Sequence, residues 1–309
     1  MASITRTKDQ LPGRTANASS AAALGTQRLH RFAYLALFVT AFLLLQPATS
    51  ASAVPATVGL GTAGDFSVLA GSTVTNTGPT VISGDAGFGG NLGVSPGSAV
   101  TGFPPGIVTP PGTIHVTDGV ASNAQADLTI AYNDAAGRPC DQNLTSQDLG
   151  GLTLTTNVYC FDTSAQLTGT LTLNAEGNPD AVFIFQVGST LTTASNSAVA
   201  LIGGAQACRV FWQIGSSATL GTNTAFTGNV LALTSITANT DTDVEGRLLA
   251  RNGAVTLDSN TIHTPACAPE VGVPQVPLLG SAGSAIVVVG FLVGTAVLLR
   301  RRHAQLARV

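Results

Sequence analysis

Charged side chains are scarce in this sequence of 309 residues: they make up 9% of the chain, and Lys8 is the single lysine. An average globular protein carries about 25% charged residues. Aromatic residues are also few, at 5% with one tryptophan, whereas glycine is abundant at 35 residues. A chain poor in long charged side chains and rich in Gly, Thr, Ser, Ala and Val favours flat β-structure with tight turns over a helical fold.

Basic residues are especially rare in the middle of the chain. Residues 54–267 contain four arginines and fourteen acidic residues, which leaves this segment with a formal charge of −10. A protein that binds phosphate backbones needs a basic stripe on its surface. The charge distribution therefore excludes nucleic acid as a partner.

Patterns of catalytic and metal-binding residues are also missing. Within residues 54–267 the histidines are His115 and His263, and neither belongs to a catalytic motif that contains Ser or Cys. Asp241, Asp243 and Glu245 cluster, but they lack the spacing of a calcium-binding loop, and a solvated turn with a local ion pair explains them more simply. The sequence predicts no enzyme activity, no cofactor and no metal site.

An apolar run at residues 32–45 follows Arg28, His30 and Arg31 and precedes an Ala-x-Ala sequence that ends at Ala53. A basic flank, a short apolar core and a small-residue end are typical of a secretory signal peptide, and we expect cleavage after Ala53. The alternative interpretation is an uncleaved membrane anchor. Residues 1–53 are thus predicted to be an N-terminal extension and signal peptide.

A second apolar run, residues 278–299, contains no charged residue and ends at three consecutive arginines, residues 300–302. About 20 apolar residues suffice to cross a bilayer, and positive residues stay on the cytoplasmic side. We therefore expect a linker at 268–277, a transmembrane helix at 278–299 and a cytoplasmic tail at 300–309. These segments predict a single-pass protein of the cell membrane, with residues 54–267 outside the cell.

All four cysteines fall within the segment predicted to be exported, which is typical of two disulfides in an oxidising compartment. Three pairings are possible. We favour Cys140–Cys160 and Cys208–Cys267, because the second bridge would attach the final strand to the body of the domain.

One amphipathic helix is predicted between Asp118, a good N-cap, and Gly137. Apolar residues recur there at steps of three and four, the spacing of one buried helix face: Val120, Ala124, Leu128, Ala131, Tyr132 and Ala135. Elsewhere the chain reads as short strands separated by glycine and proline, with clear period-two alternation at 167–173.

An internal repeat gives the most specific information about the fold. Four segments, at 192–197, 219–224, 237–242 and 256–261, share the pattern Thr-x-x-Ser/Thr-Asn/Asp-Ser/Thr. Their starts are 27, 18 and 19 residues apart, and about eighteen residues make one turn of a three-sided β-helix. Parallel strands in successive turns stack about 4.8 Å apart, so equivalent hydroxyl groups would form rows on one flat face. A simpler interpretation is that these rows only stabilise the stack.

The candidate binding residues are the hydroxyl-bearing members of this repeat: Thr192, Thr193, Ser195, Thr219, Thr222, Thr224, Thr237, Thr240, Thr242, Thr256, Ser259 and Thr261.

Several long motifs resemble those of the microbial ice-binding-like proteins. They are FIFQVGSTL at 183–191, VFWQIGSSATLGT at 210–222, GRLLARNGAVTLD at 246–258, TNTGPT at 75–80 and VTGFPPG at 100–106. The resemblance covers residues 54–267. It implies a mostly β fold: an irregular right-handed three-sided β-helix, or solenoid, with one long α-helix packed alongside.

The resemblance also implies ice as the ligand, bound through a flat solenoid face with a Thr-Ala/Gly-x-Thr/Asn pattern. Residues 193–196 and 237–240 fit that pattern. Asp241, Asp243 and Asp258 depart from it, because a hydrated carboxylate disrupts ordered water on a flat face. The alternative hypothesis is a non-catalytic surface adhesin or structural module that binds polysaccharide or protein. The sequence does not indicate an oligomeric state.

Overall fold

Short parallel strands build nearly all of the structure, a computed structural model that describes residues 54–85 and 89–267. The strands are β1 (Phe66–Ala70), β2 (Thr73–Thr77), β3 (Val81–Gly84), β4 (Asn91–Val94), β5 (Ala99–Thr101), β6 (Ile107–Val108), β7 (Ile114–Val116), β8 (Gln142–Asn143), β9 (Thr153–Leu154), β10 (Asn157–Phe161), β11 (Ala165–Leu167), β12 (Thr170–Asn174), β13 (Phe183–Val187), β14 (Leu191–Thr193), β15 (Ala198–Ile202), β16 (Val210–Ile214), β17 (Ala218–Leu220), β18 (Ala225–Ala232), β19 (Ile236–Ala238), β20 (Asp243–Ala250), β21 (Val255–Asp258) and β22 (Thr261–Thr264). Short 3-10 helices at Gly61–Asp65 and Ala207–Arg209 complete the connections.

The strands form a β-solenoid with three faces. One face is a separate sheet of seven strands, in the order β11-β14-β17-β19-β21-β2-β5. A sheet of fifteen strands forms the other two faces, because β18 and β20 each turn a corner. The first half of β18 pairs with β15 and its second half pairs with β16, so one strand contributes to both faces.

Two glycines permit this corner. Gly228 and Gly246 lie in the middle of β18 and β20 with φ values of 118° and 148°, a conformation that side chains disfavour. A Cβ atom on Gly246 would lie 2.0 Å from the carbonyl oxygen of Gly228 in the neighbouring coil. Because the two coils approach so closely there, larger residues cannot occupy these positions.

The order of the coils in space differs from their order along the chain. The last C-terminal coil does not end the stack: β20, β21 and β22 pair with β1, β2 and β3 from the N-terminal region. The N-terminal coils therefore extend the solenoid beyond its C-terminal strands. The internal repeat did not predict this arrangement, because the N-terminal coils do not carry the six-residue pattern.

One long helix, α1 (Gly119–Ala136), begins after the predicted N-cap Asp118, whose Oδ1 accepts a hydrogen bond of 2.8 Å from the amide of Ala121. Its buried face packs on the face formed by β1, β13, β16 and the second halves of β18 and β20. Five of the six predicted stripe residues are buried, whereas Val120 is 47% exposed and Ala121 takes its place. The helix therefore covers one of the three solenoid faces.

Inside the solenoid, apolar side chains from all three faces form a continuous core. Its aromatic part is a stack in which the rings of Phe185 and Trp212 lie 3.9 Å apart and 10° from parallel. Trp212 is fully buried, and its indole N–H donates to the carbonyl of Thr227. The only tryptophan is thus a core residue with its polar atom satisfied.

The favoured disulfide pairing is confirmed: Cys140 bonds to Cys160 and Cys208 bonds to Cys267. The second bridge attaches the segment after β22 to the start of β16, as expected. Disulfides of this kind persist in oxidising compartments.

The predicted location in the cell membrane needs correction. Within residues 54–85 and 89–267, no helix is long and apolar enough to cross a bilayer. The predicted signal peptide at 1–53, linker at 268–277, membrane helix at 278–299 and tail at 300–309 lie outside the described residues. Because no helix of the described structure provides a span, the predicted single-pass location and the membrane as a partner are withdrawn.

Candidate functional site

The seven-stranded sheet carries a row of threonines on its outer surface. Side chains alternate between the two sides of a strand, and around Thr219, Thr237 and Thr256 the apolar residues on either side point into the core. The outward positions pair in register across all seven strands, and six consecutive ones are threonine. We call these residues the central row: Thr192, Thr219, Thr237, Thr256, Thr75 and Thr101, preceded at one end by Gln166.

Four residues of the sequence prediction therefore lie in one row, as the repeat required: Thr192, Thr219, Thr237 and Thr256. Parallel strands are about 4.8 Å apart, so the hydroxyl and methyl groups of the row repeat at that interval. The ladder of backbone hydrogen bonds fixes the spacing before any ligand arrives. The row contains no charged side chain.

A second row follows the ends of the same strands. Successive coils place Ser195, Thr222, Thr240, Asp258 and Thr77 next to one another, and we call these residues the edge row. Backbone hydrogen bonds between coils hold this register. The amide of the residue that follows each edge-row residue donates to the carbonyl of the edge-row residue in the next coil, as from Asn196 to Thr222 and from Asn223 to Thr240. The pairing of Thr77 with Asp258 continues the row into the N-terminal coil.

Three predicted residues face the interior and cannot contact a ligand on the surface. Thr193, Thr224 and Thr242 are 3%, 0% and 0% exposed. Thr193 alternates inward along β14, whereas Thr224 and Thr242 follow Asn223 and Asp241, whose left-handed φ values of 56° and 57° turn the chain into the solenoid.

The buried hydroxyls instead satisfy the corner of each coil. Thr242 Oγ1 lies 3.0 and 2.8 Å from the carbonyl oxygens of Gly221 and Asn239, which share its one hydrogen. The hydroxyls of Thr193 and Thr224 lie 3.0 Å apart, and Thr193 accepts from the amide of Gly221. This hydroxyl column stabilises the stack, which is the simpler interpretation that the repeat had left open.

Two more predicted residues are displaced because the fourth repeat is one residue shorter than the others. Thr261 pairs with Asp243 and lies in β22. This strand belongs to the third face of the solenoid, which consists of β3, β6, β9, β12, β15, β22 and the first halves of β18 and β20. Ser259 occupies the left-handed corner position, with φ 56°, that Asp241 fills in the preceding coil. The sequence repeat aligned Ser259 with Thr240 and Thr261 with Thr242, whereas in the structure each residue occupies the position one further along the coil.

Thr75 and Thr101 in the central row, and Thr77 in the edge row, were missed by the sequence prediction. Alternation in Thr73–Thr77 marks Thr75 and Thr77 as residues of one strand face. No sequence signal indicates that this strand pairs with β21 at the far end of the chain.

The third face presents a group that superficially matches a hydrolytic site. Ser83 Oγ lies 3.0 Å from His263 Nδ1, and His263 Nε2 lies 3.4 Å from Asp85 Oδ1. Ser83 lies in a strand that pairs on both sides, with β22 and β6, and the amide of Asp85 donates to Thr264. The amide of Asp85 is thus engaged in the sheet and does not point at an oxyanion. Among the described residues, no group of three or more His, Cys, Asp or Glu side chains is placed to hold a metal ion.

Comparison with known proteins gives a consistent result. The family model described as ice-binding-like matches residues 68–263. An ice-binding protein of Nostoc sp. (strain HG1) is 53% identical over 236 residues, which cover 76% of this chain and 83% of that protein. An ice-binding protein of Colwellia sp. is 38% identical over 229 residues, covering 68% of this chain and 85% of the relative.

Solved structures agree with these relatives. The crystal structure of an ice-binding protein from an Antarctic biological consortium superposes with a TM-score of 0.64 at 47% identity, covering 69% of this chain and 93% of that one. An ice-binding protein with antifreeze activity from an Arctic yeast gives a TM-score of 0.60 at 30% identity, covering 70% and 97%. With its β-solenoid, flanking helix and matching sequence, the chain belongs to the ice-binding-like family.

Proposed function

We propose that the protein binds ice through the central row and thereby inhibits ice growth or recrystallisation. The observation that carries this proposal is the register of six threonines on consecutive strands of a sheet whose outer side no described helix or strand covers. Close relatives are ice-binding proteins, and a structural neighbour has antifreeze activity.

The row suits ice because it is regular, rigid and uncharged. Each threonine offers a hydroxyl group and a methyl group, which together order water without the strong hydration of an ion. A single contact of this kind is weak. Because the backbone ladder holds all six side chains in place beforehand, little conformational entropy is lost on binding, and the weak contacts add. Adsorbed protein makes the ice surface curve between neighbouring protein molecules, and this curvature halts ice growth locally.

The residues proposed to contact ice are the six of the central row, and Ser195, Thr222 and Thr240 of the edge row lie beside them. Thr192, Ser195, Thr240 and Thr256 are exposed, and Thr219, Thr222 and Thr237 are partly exposed.

The adhesin alternative receives less support. Sugar-binding surfaces commonly use exposed aromatic rings, because a ring is flat and apolar while its edge is polar. Here Trp212 lies in the core, stacked on Phe185. The carbohydrate hypothesis therefore has no exposed tryptophan to rely on.

An ice-partition experiment tests the proposal. Slow freezing of a stirred solution onto a cold surface should concentrate the protein in the ice, while an unrelated control protein stays in the liquid. Parallel pulldowns with insoluble cellulose and chitin address the alternative. A folded protein that stays in the liquid during freezing, yet is retained by a polysaccharide, contradicts the ice proposal and supports the adhesin.

A further inference from the structure

The edge row contains one charged residue. Asp258 stands where the other coils place Ser195, Thr222, Thr240 and Thr77. It belongs to the strand that carries Thr256 of the central row, two residues away, so its side chain emerges on the same side of the sheet. A carboxylate therefore lies directly beside the middle of the proposed ice-binding surface.

The carboxylate also engages neighbouring hydroxyl groups. Thr240 Oγ1 donates to Asp258 Oδ2 at 2.5 Å, and Ser259 Oγ donates to Asp258 Oδ1 at 3.1 Å. A hydroxyl has one hydrogen to donate, so neither Thr240 nor Ser259 can donate to water while these bonds persist. Asp258 thus reduces the hydrogen bonding to water at Thr240 and Ser259 in addition to placing a charge at its own position.

An ionised carboxylate also holds its remaining water strongly and in its own geometry, because hydrogen bonds to an ionised acceptor are shorter and stronger than neutral ones. Ordered water that continues the crystal lattice cannot form over such a group. Ser195 and Thr222 lie on one side of the interruption, and Thr77 lies on the other. The edge row is divided, whereas the central row is continuous.

We infer that Asp258 is a specificity-determining residue that restricts the ice-binding surface to the width of a single row. This inference rests on the proposed ice binding and deepens it. A single row matches ice along one direction, whereas two adjacent rows match a two-dimensional lattice. Asp258 limits the strength of ice binding, and its replacement by threonine joins the two halves of the edge row.

The fold does not need this carboxylate. The amide of Asp258 donates to Asn260 Oδ1, which is a backbone contact that any residue retains. Threonine and serine already occupy the equivalent position in neighbouring coils, and threonine favours extended structure. The Asp258→Thr protein should therefore fold.

The test compares recrystallisation inhibition by the wild-type protein with that by Asp258→Thr and Asp258→Asn. The asparagine variant removes the charge and leaves an acceptor oxygen for Thr240. Asp241→Asn is the matched control: it removes the same charge from the corner of the neighbouring coil, at a left-handed position where other coils already have Asn196 and Asn223. Melting temperatures measured on all four proteins report folding.

Both Asp258 variants should inhibit recrystallisation at a concentration at least about twofold lower than the wild type, which is the factor expected from one additional weak hydrogen bond. Asp241→Asn should leave the concentration unchanged. Unchanged or weaker inhibition by folded Asp258→Thr and Asp258→Asn overturns the inference, as does an equal gain from Asp241→Asn, which would indicate an effect of net charge alone. If the wild type shows no ice activity, the proposed function fails together with the inference; if the wild type is active and the Asp258 variants gain nothing, the inference alone fails.

Discussion

Replacing Thr237 by tyrosine places a bulky ring in the middle of the central row. Thr219 and Thr256 flank this position on the neighbouring strands, each about 4.8 Å away. The phenol ring stands above the plane of the threonine side chains by more than the radius of a water molecule, about 1.4 Å. It therefore holds the ordered water layer away from the two neighbours as well as from residue 237 itself.

The structure sets the size of the effect. Tyrosine removes three of the six contacts along the row. If each contact contributes about 0.5 kcal/mol, at the lower end of the range for a net hydrogen bond, the loss is about 1.5 kcal/mol. A difference of this size corresponds to roughly a tenfold change in an equilibrium constant. We expect Thr237→Tyr to need about ten times more protein for the same inhibition of recrystallisation.

Thr261→Tyr is the matched control for this measurement. Thr261 belongs to the same sequence repeat and is exposed, but it lies in β22 on the third face of the solenoid. The control should keep the activity of the wild type. Equal losses in the two variants, or retained activity in a folded Thr237→Tyr protein, would refute the assignment of ice binding to the central row. Circular dichroism and thermal melting establish that both variants are folded.

Three further predictions concern the stability of the fold. Thr242→Val leaves the carbonyl of Gly221 without its hydroxyl donor, so thermal or urea unfolding should show a loss of about 1–3 kcal/mol while inhibition by the folded fraction is unchanged; a clear loss of activity per folded molecule would restore Thr242 to the ice-binding site. Reduction of the Cys208–Cys267 bridge, which closes a loop of 59 residues, should lower the melting temperature by an amount equivalent to about 2–4 kcal/mol, and an unchanged value would show that the bridge adds no stability. A hydrogen bond from the side chain of Thr62 lowers the pKa of Asp127 below its usual 3.8. The ionised carboxylate therefore stabilises the folded state at pH values above 3.8, and this stabilisation is lost as the pH falls through the lowered pKa. Melting curves between neutral pH and pH 2 should accordingly show a weaker acid dependence for Asp127→Asn, and an identical pH dependence would contradict this assignment.

Local patterns in the sequence were sufficient for much of the architecture. Period-two alternation, glycine-rich turns and the hydroxyl repeat indicated stacked parallel strands, because a solenoid places equivalent residues at a nearly constant spacing. The helix was predictable from the Asp118 cap and the apolar spacing that follows it. These features depend on neighbouring residues and are therefore visible along the chain.

The candidate site was predictable only in part. Thr192, Thr219, Thr237 and Thr256 share the first position of the repeat and indeed form one row. In the second and third repeats, the fourth and sixth positions are both threonine, but the fourth faces the surface and the sixth faces the core. A single left-handed residue turns the following threonine into the core, and residue type alone does not distinguish a buried hydroxyl from an exposed one.

By itself, the sequence determined that the chain coils into stacked β-structure with one flanking helix and a regular series of threonines, because these properties follow from residue spacing. The tertiary structure decided which hydroxyl groups face water, since the inward corner at Asn223 and Asp241 buries two of those expected outside. It also decided the length of the row. Thr75 and Thr101 join the row because β2 stacks on β21, about 180 residues later in the chain, and such a contact is set by the packing of the whole solenoid and leaves no local signal.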